Sequence, residues 1–576
     1  MKAKKIIAAI LAATLAVSAF SACGAPAEKD SESSSTPSQS ADGKIMDGDI
    51  EVSKPGEVPI VIGDKITLSV FTAPHLDKNS KFAYGENTFS TWLEDETNIH
   101  LDWNVVTNAD KNAKLNLMFQ GDDYEDIIFG SWWDGATQYS YAQQGYLLPL
   151  SDYYEDHAHY YNIWYDALIE TGSSTENRMK TATMPDGKIY SWSLMNDAFN
   201  AQFAVRLWVY QPWLDALDIE MPTTTKEFEE MLIAFKNDDP NGNNQKDEIP
   251  LTGSVNDGWF ADPTEHLMNS FVYYQKNEKA YVDDGEVVQV YTTDGYKEGL
   301  KWFSDLHAQG LLYTDTFTQA NVDLRGLTTQ DTQLVGVTAG GLQSNFTQMT
   351  NGEKGDWTNW TTIPPLKGPD GVQYARYVVA FPASRVNMTN NCEYPIAAFK
   401  LLDYLTKDDV GCSAVNGLEG EGWRRAEEGE LGIDGQPAIY KTFTHGMDDG
   451  KTNYAWSQLA HYYTFPGWHQ KQVIDNDPEA DMETIIYNSA LTYEPFKPDE
   501  DMILPPLIFD ENDSKDFVTI KKGIFDAEKI FFANTIVDGY TDAKWDAWLA
   551  ELETKQVDKL DELYQKGYQD YLARVG

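Results

Sequence analysis

From Ile66 to Phe129 the chain alternates between strand-like and helix-like hydrophobic patterns, and this limits the fold more than any other feature. Ile66-Thr67-Leu68-Ser69-Val70-Phe71 has the two-residue period of a half-buried strand. Thr88 to Glu96 reads as a helix, and Ile99, Leu101, Trp103 and Val105 alternate as a second strand. Lys111 to Phe119 is helical in pattern, and Asp126-Ile127-Ile128-Phe129 is a short buried strand. Strands separated by helices form βαβ units with right-handed crossovers, which makes the sheet parallel and the class α/β. Ligands of such sheets sit beyond the carboxyl ends of the strands. Gly130-Ser131-Trp132-Trp133 follows one of those ends directly.

A chain of 576 residues exceeds what one hydrophobic core serves, so at least two domains are expected. Further helices follow. Thr224 and Glu227 form a T-x-x-E capping box ahead of Phe228, Met231, Leu232 and Phe235, which share one face. Gly295 to Gln309 turns Leu300, Phe303 and Leu306 inward, and Cys392 to Leu405 repeats the pattern. From Trp545 to Tyr571 an aromatic stripe at helical spacing reads as core.

The helix behind Thr224 runs into Asp239-Pro240-Asn241-Gly242-Asn243-Asn244-Gln245-Lys246-Asp247-Glu248. Oxygen-bearing side chains recur at alternate positions, and Gly242 and Asn244 tolerate left-handed backbone. Six or more oxygens at short range suit Ca²⁺, which accepts irregular geometry. The spacing opens like an EF-hand and then departs from it, with Asn244 in place of the invariant glycine and Pro250 in place of the last acid. An Asn/Asp/Gly surface turn without an ion is the alternative reading.

Acidic residues number 91 against 44 basic ones, a net charge of −47 that argues against nucleic acid and against attraction to anionic surfaces. Lys2, Lys4 and Lys5 followed by the apolar run Ile6 to Phe20 form a targeting segment too short to span a bilayer comfortably. It ends in Phe20-Ser21-Ala22-Cys23-Gly24, which resembles a bacterial lipobox, with Phe20 departing from the usual leucine. That resemblance implies cleavage after residue 22 and a lipid on Cys23; ordinary cleavage with a chance thiol is the alternative. Residues 23–58 are rich in Ser, Glu, Asp, Pro and Gly and read as a flexible acidic tether. Cys392 and Cys412 are free to pair or to stay reduced.

The order of several short segments resembles the family 1 extracellular solute-binding lipoproteins of bacterial ABC importers. They include Gly121-Asp122-Asp123-Tyr124-Glu125-Asp126, Gly145-Tyr146-Leu147-Leu148-Pro149-Leu150, Asp186-Gly187-Lys188-Ile189-Tyr190 and Glu419-Gly420-Glu421-Gly422-Trp423. The likeness is greatest to the calcium-containing oligosaccharide-binding subgroup, with alginate-binding and LplA-like members. It implies a two-lobed periplasmic-binding-protein-like fold (type II) with hinge crossovers and a ligand cleft. One lobe would hold residues 59–189 plus about 382–440, the other 190–381 plus about 441–576. It also implies structural Ca²⁺ on Asp239, Asn241, Asn243, Gln245 (through its carbonyl), Asp247 and Glu248. The expected protein is a lipid-anchored monomer outside the cell, delivering an oligosaccharide to ABC permease subunits.

Sugar binding needs flat aromatic faces and a few placed polar groups. The candidates are Trp132 and Trp133 at a strand end, Trp192 at the first crossover, Trp259 and Phe260, then Trp360, Arg376 and Trp423. Arg376 would fork onto hydroxyls or a uronate carboxylate, or else pair with an acid. The chain has no G-x-S-x-G elbow, H-E-x-x-H, P-loop or dinucleotide fingerprint, so it is not read as an enzyme. A secreted carbohydrate-active enzyme and a binder of a non-sugar cargo such as a peptide are the alternatives.

Overall fold

The computed structural model describes residues 44–73, 84–131, 133–170, 178–194, 198–379, 381–443, 456, 467, 470–474 and 477–575. In the first lobe, strand Ile66–Thr72 is the spine. It runs parallel to Ile99–Val105 over seven residue pairs, from Ile66 opposite Ile99 to Thr72 opposite Val105. On its other side lies Ile127–Phe129, also parallel, with Val70 opposite Ile127. Two further strands complete the sheet in the order Ile99–Val105, Ile66–Thr72, Ile127–Phe129, Ala383–Met388, Trp192–Leu194. Ala383–Met388 is antiparallel to both its neighbours.

That inserted strand follows from the chain path. The chain leaves the first lobe after Leu194, builds the second, and re-enters at Ala383, opposite Leu194 itself. Two crossing segments therefore lie side by side and form a hinge. The second lobe has its own mixed sheet, ordered Trp360–Ile363, Leu207–Tyr210, Val335–Ala339, Ile249–Leu251. Here Val335–Ala339 runs parallel to Ile249–Leu251 and antiparallel to Leu207–Tyr210.

Each lobe has its own core. Val70, Ile127, Phe129, Trp192 and Phe399 anchor the first; Leu207, Val209, Phe228, Leu300, Phe303 and Val337 anchor the second. The C-terminal helices Glu511–Val537, Asp542–Thr554 and Val557–Val575 close the second core with Ile524, Phe532, Trp548 and Tyr564. The aromatic stripe is core, as its spacing predicts: Trp548 stacks on Phe531 at 4.6 Å and donates to the Tyr291 carbonyl at 3.0 Å.

The structure corrects two boundaries. The folded body starts well before residue 59: Ile45–Asp47, Ile50–Val52 and Val61–Ile62 form a three-stranded antiparallel sheet. Val52, Ile60 and Val61 are buried in the first core. The second correction concerns the return to the second lobe. Trp456 lies against Phe89 and Phe129 of the first lobe, and Val473 N–H donates to the Tyr440 carbonyl at 2.8 Å. The second lobe is regained by Ala480, which accepts the Gly352 N–H at 2.8 Å. The first lobe thus extends past 440.

Asp47 ties this early sheet to helix Pro395–Leu405 by accepting the Ala397 N–H at 2.8 Å. Burial pushes its carboxyl up to about 6, although backbone N–H groups of Ala397 and Ile396 pull the other way. The folded state therefore holds a proton that the unfolded chain releases. The stability this gives is complete below about pH 4 and is lost as pH rises through about 6. Relative to Asp47→Asn, the wild-type protein should lose roughly 2 kcal/mol between those limits, read from denaturation midpoints. Parallel pH profiles for the two proteins would contradict this assignment.

Candidate functional site

Phe129 ends its strand, and Gly130 takes a left-handed turn (φ +73) that brings its N–H to the Arg385 carbonyl at 2.8 Å. Ser131 Oγ meets Ser384 Oγ at 3.0 Å. Lys111 Nζ donates to the Gly130 and Ser131 carbonyls at 3.3 and 3.1 Å. The strand-end loop is thereby fixed to the returning crossover. Asp134 then caps helix Gly135–Gln143 by accepting the Thr137 N–H at 2.7 Å.

Between this helix and the second lobe lies a cavity of about 730 Å³, within the range that holds small ligands. Trp133 and Gln138 line it from the first lobe, Gln275, Asn277 and Arg376 from the second, and Phe381 from a crossover. Ile503–Phe509 crosses over it. Ile503 sits in the second lobe, whereas Ile508 packs with Leu147, Met184 and Tyr190 of the first. The approach is close: a Cβ on Gly135 would stand 2.9 Å from Ile508 Cγ1. Helix Glu511–Val537 adds Phe517, Lys521 and Phe525 to the wall.

Gln138 is the residue that sequence reading missed. It is 2% exposed, and its amide nitrogen has no partner among the described residues. A buried donor is not left idle without cost, so this one is suited to a ligand oxygen. The signal was present in its position on a helix that opens directly beyond a strand end.

The aromatic candidates divide. Trp133 borders the cavity, its ring 4.8 Å from that of Tyr141. Trp259 is 47% exposed on the second lobe, beyond the carboxyl end of strand Ile249–Leu251. Its ring lies across Gly341, where a Cβ would come 2.2 Å from Trp259 Cε3. Phe260 stands beside it at 5.2 Å with left-handed backbone (φ +55).

Trp192, Trp360 and Trp423 are buried and do not line this cavity. Trp192 is fully buried with edge contacts to Tyr161 at 5.0 Å and Phe399 at 5.1 Å. Trp360 is wedged between Tyr210 and Phe346, and Trp423 donates to Ser413 Oγ at 3.1 Å inside a small cluster with Cys412 and Tyr440. In each case the strand turns that residue toward covering elements, a choice that composition does not reveal. Arg376 takes the second of its two expected roles, pairing with an acid: its Nε donates to Glu265 Oε1 at 3.1 Å and its Nη1 to the Tyr377 carbonyl at 3.1 Å. Trp132 and Cys23 lie outside the described residues. Cys392 and Cys412 are both free and buried.

The oxygen-rich loop folds around its own side chains. Asp239, Gly242 and Asn244 all have positive φ. Asp239 accepts the Asn243 and Asn244 N–H groups at 3.1 and 3.0 Å. Asn243 Oδ1 accepts the Gln245 N–H at 2.7 Å. The amides of Asn241 and Asn243 point at the Asp247 carboxylate from 3.3 and 3.1 Å. Glu248 Oε1 is buried with no partner. Burial pushes its carboxyl up, and the charges of Asp247 and Asp239 add to the rise. Among the described residues no three His, Cys, Asp or Glu side chains cluster as a metal cage; the loop's donors are mixed carboxylates and amides. Their oxygens are the donor type that suits a hard cation, and the Glu248 oxygen would gain a partner.

No family model matches the chain. Solved structures do. The HMO-binding, ABC-transporter-associated solute-binding protein of Bifidobacterium longum infantis superposes with a TM-score of 0.72 at 20% identity, covering 88% of this chain and 99% of that one. This is the fold of ABC-transporter substrate-binding proteins. Alginate-binding protein AlgQ2, solved without calcium ion, shares it at a TM-score of 0.61 and 15% identity, covering 88% and 99%. In sequence, the fructooligosaccharide ABC transporter substrate-binding protein FusA of Streptococcus pneumoniae is 27% identical over 289 residues, 49% of this chain. The match spans about half the length of FusA, 50%.

Proposed function

We propose that this protein captures an oligosaccharide between its lobes and delivers it to an ABC permease, without chemistry of its own. The observation that carries the reading is the interlobe cavity, bordered by paired crossovers and furnished with an aromatic rim and an unpartnered buried amide. Lobes joined by such segments open and close as units, so ligand contacts made from both sides favour the closed form. Trp259 supplies a second flat face at the strand ends of the second lobe.

The relatives support sugar as cargo, since FusA is named for fructooligosaccharide and AlgQ2 for alginate. A FusA structure described as an EF-hand mutant supports reading the loop at Asp239–Glu248 as a cation-binding loop. Asp239, Asn241, Asn243, Asp247, Glu248 and the Gln245 carbonyl would hold calcium, whose positive charge would neutralise the crowded carboxylates. The ion's role is structural: the loop meets the Gln333 carbonyl through Asn241 at 3.3 Å, at the end of the sheet away from Trp259 and Gly341. Cys23 would carry the lipid that holds this monomeric protein on the outer face of the cytoplasmic membrane. No described helix is long and apolar enough to cross a membrane.

Intrinsic tryptophan fluorescence, titrated with a panel of oligosaccharides, tests the reading, with the mixture assayed afterwards for new reducing ends. Saturable change without bond cleavage is expected. Binding of peptides alone, or release of product from a glycan, would overturn it.

A further inference from the structure

We propose that the ligand is an uncharged oligosaccharide and that uronate-bearing chains are rejected. The inference rests on the interlobe reading given above. Among the described residues, the cations at the cavity wall are already held by acids. Arg376 pairs with Glu265 at 3.1 Å, Lys521 with Glu278 at 2.8 Å and Lys522 with Asp526 at 2.6 Å. The Arg376–Glu265 pair is the decisive one, because both side chains are almost wholly enclosed (7% and 5% exposed). To grip a ligand carboxylate, Arg376 would have to share one guanidinium between that group and the enclosed Glu265 carboxylate, leaving two negative charges against one positive charge in the interior, which is penalised.

The wall adds repulsion. Asp134 faces the same space beside acids that are balanced by their lysines, and the chain as a whole carries −47. Lys111, near the strand end, has no carboxylate partner among the described residues and donates to the Gly130 and Ser131 carbonyls. What the cavity does offer suits hydroxyls: the free amide nitrogen of Gln138, the amides of Gln275 and Asn277, and the rings of Trp133 and Phe381. Neutral amides bind sugar hydroxyls in either direction, as donor or acceptor.

Calorimetric titration of the full chain separates charge from shape. The probes are neutral fructan and glucan oligosaccharides, an oligogalacturonate, and the same oligogalacturonate methyl-esterified. A neutral chain is expected to bind, and the acid form to bind about 100-fold more weakly than its own ester. Glu278→Gln removes one wall charge and frees Lys521, so it should narrow that gap by about ten-fold. Acid and ester binding equally well would overturn the inference while leaving interlobe capture intact. Should Lys111→Gln then abolish the acid form alone, Lys111 is the anion seat and the inference is equally overturned. An unchanged gap in Glu278→Gln overturns the assigned cause. If no glycan binds, the interlobe reading fails and the inference falls with it.

Discussion

Replacing Arg376 by alanine should destabilise the second lobe by about 3–5 kcal/mol, because it strands the Glu265 carboxylate in the interior. Glu265 is 4% exposed, and among the described residues its Oε1 has one other donor, the Lys276 N–H at 3.2 Å. The same substitution removes the bond to the Tyr377 carbonyl. Arg376→Lys keeps the charge but not the two-nitrogen geometry and should recover only part of the loss. Removing both charges with Arg376→Met and Glu265→Gln should be milder than Arg376→Ala alone, which isolates the unpaired charge as the cause. Urea denaturation followed by circular dichroism measures all of these. If Arg376→Ala instead unfolds like the wild type and loses sugar binding, Arg376 is a ligand residue and the ion pair is incidental.

Chelation of calcium comes next in size. An ion present at about 1,000 times its dissociation constant stabilises the folded state by about 4 kcal/mol, a shift of roughly 10 °C for one lobe. EDTA should lower the melting temperature by that order, and added Ca²⁺ should restore it. Because burial raises the Glu248 carboxyl, a proton competes with the ion for it at higher pH than at an exposed glutamate. The ion needs the carboxylate, so its stabilising effect should grow as pH rises. Asp247→Ala removes the carboxylate that the Asn241 and Asn243 amides converge on, and it should abolish the response to both reagents. Sugar affinity should change little. Identical melting curves with and without EDTA, together with metal analysis that finds no divalent ion, would make the loop a plain surface turn.

What the sequence revealed follows from how local each signal is. The parallel strands from Ile66 to Phe129 announce themselves because each carries its own period. The capping box at Thr224 likewise needs only four residues, and Glu227 N–H meets Thr224 Oγ1 at 3.1 Å as expected. Strand Ala383–Met388 was invisible as a sheet member, since its partner is Ile127–Phe129: Ser131 and Ser384 touch across a separation of 253 residues. The same distance hid the pairing of Arg376 with Glu265 and the crossing of Ile503–Phe509 over the cavity.

Tryptophan was the weakest guide. One ring suits both a core and a sugar face, so Trp192 and Trp259 could not be told apart until the covering elements were known. The early sheet at Ile45–Ile62 was masked by acidic composition around it, although Ile45, Ile50 and Val52 carry its apolar positions. Gln138 shows the opposite difficulty. An ordinary glutamine becomes a candidate ligand contact only when burial leaves its amide nitrogen alone.

Capture of sugar between the lobes is tested most directly by calorimetric titration of the wild-type protein beside Gln138→Ala and Trp259→Ala, using the oligosaccharide that gives the largest fluorescence response. Gln138→Ala removes one hydrogen bond and should weaken binding by about 0.5–1.5 kcal/mol. Trp259→Ala removes an exposed stacking face and should weaken it by about 1 kcal/mol, with the melting temperature of both variants close to that of the wild type. Wild-type affinity in both variants would contradict binding at either surface.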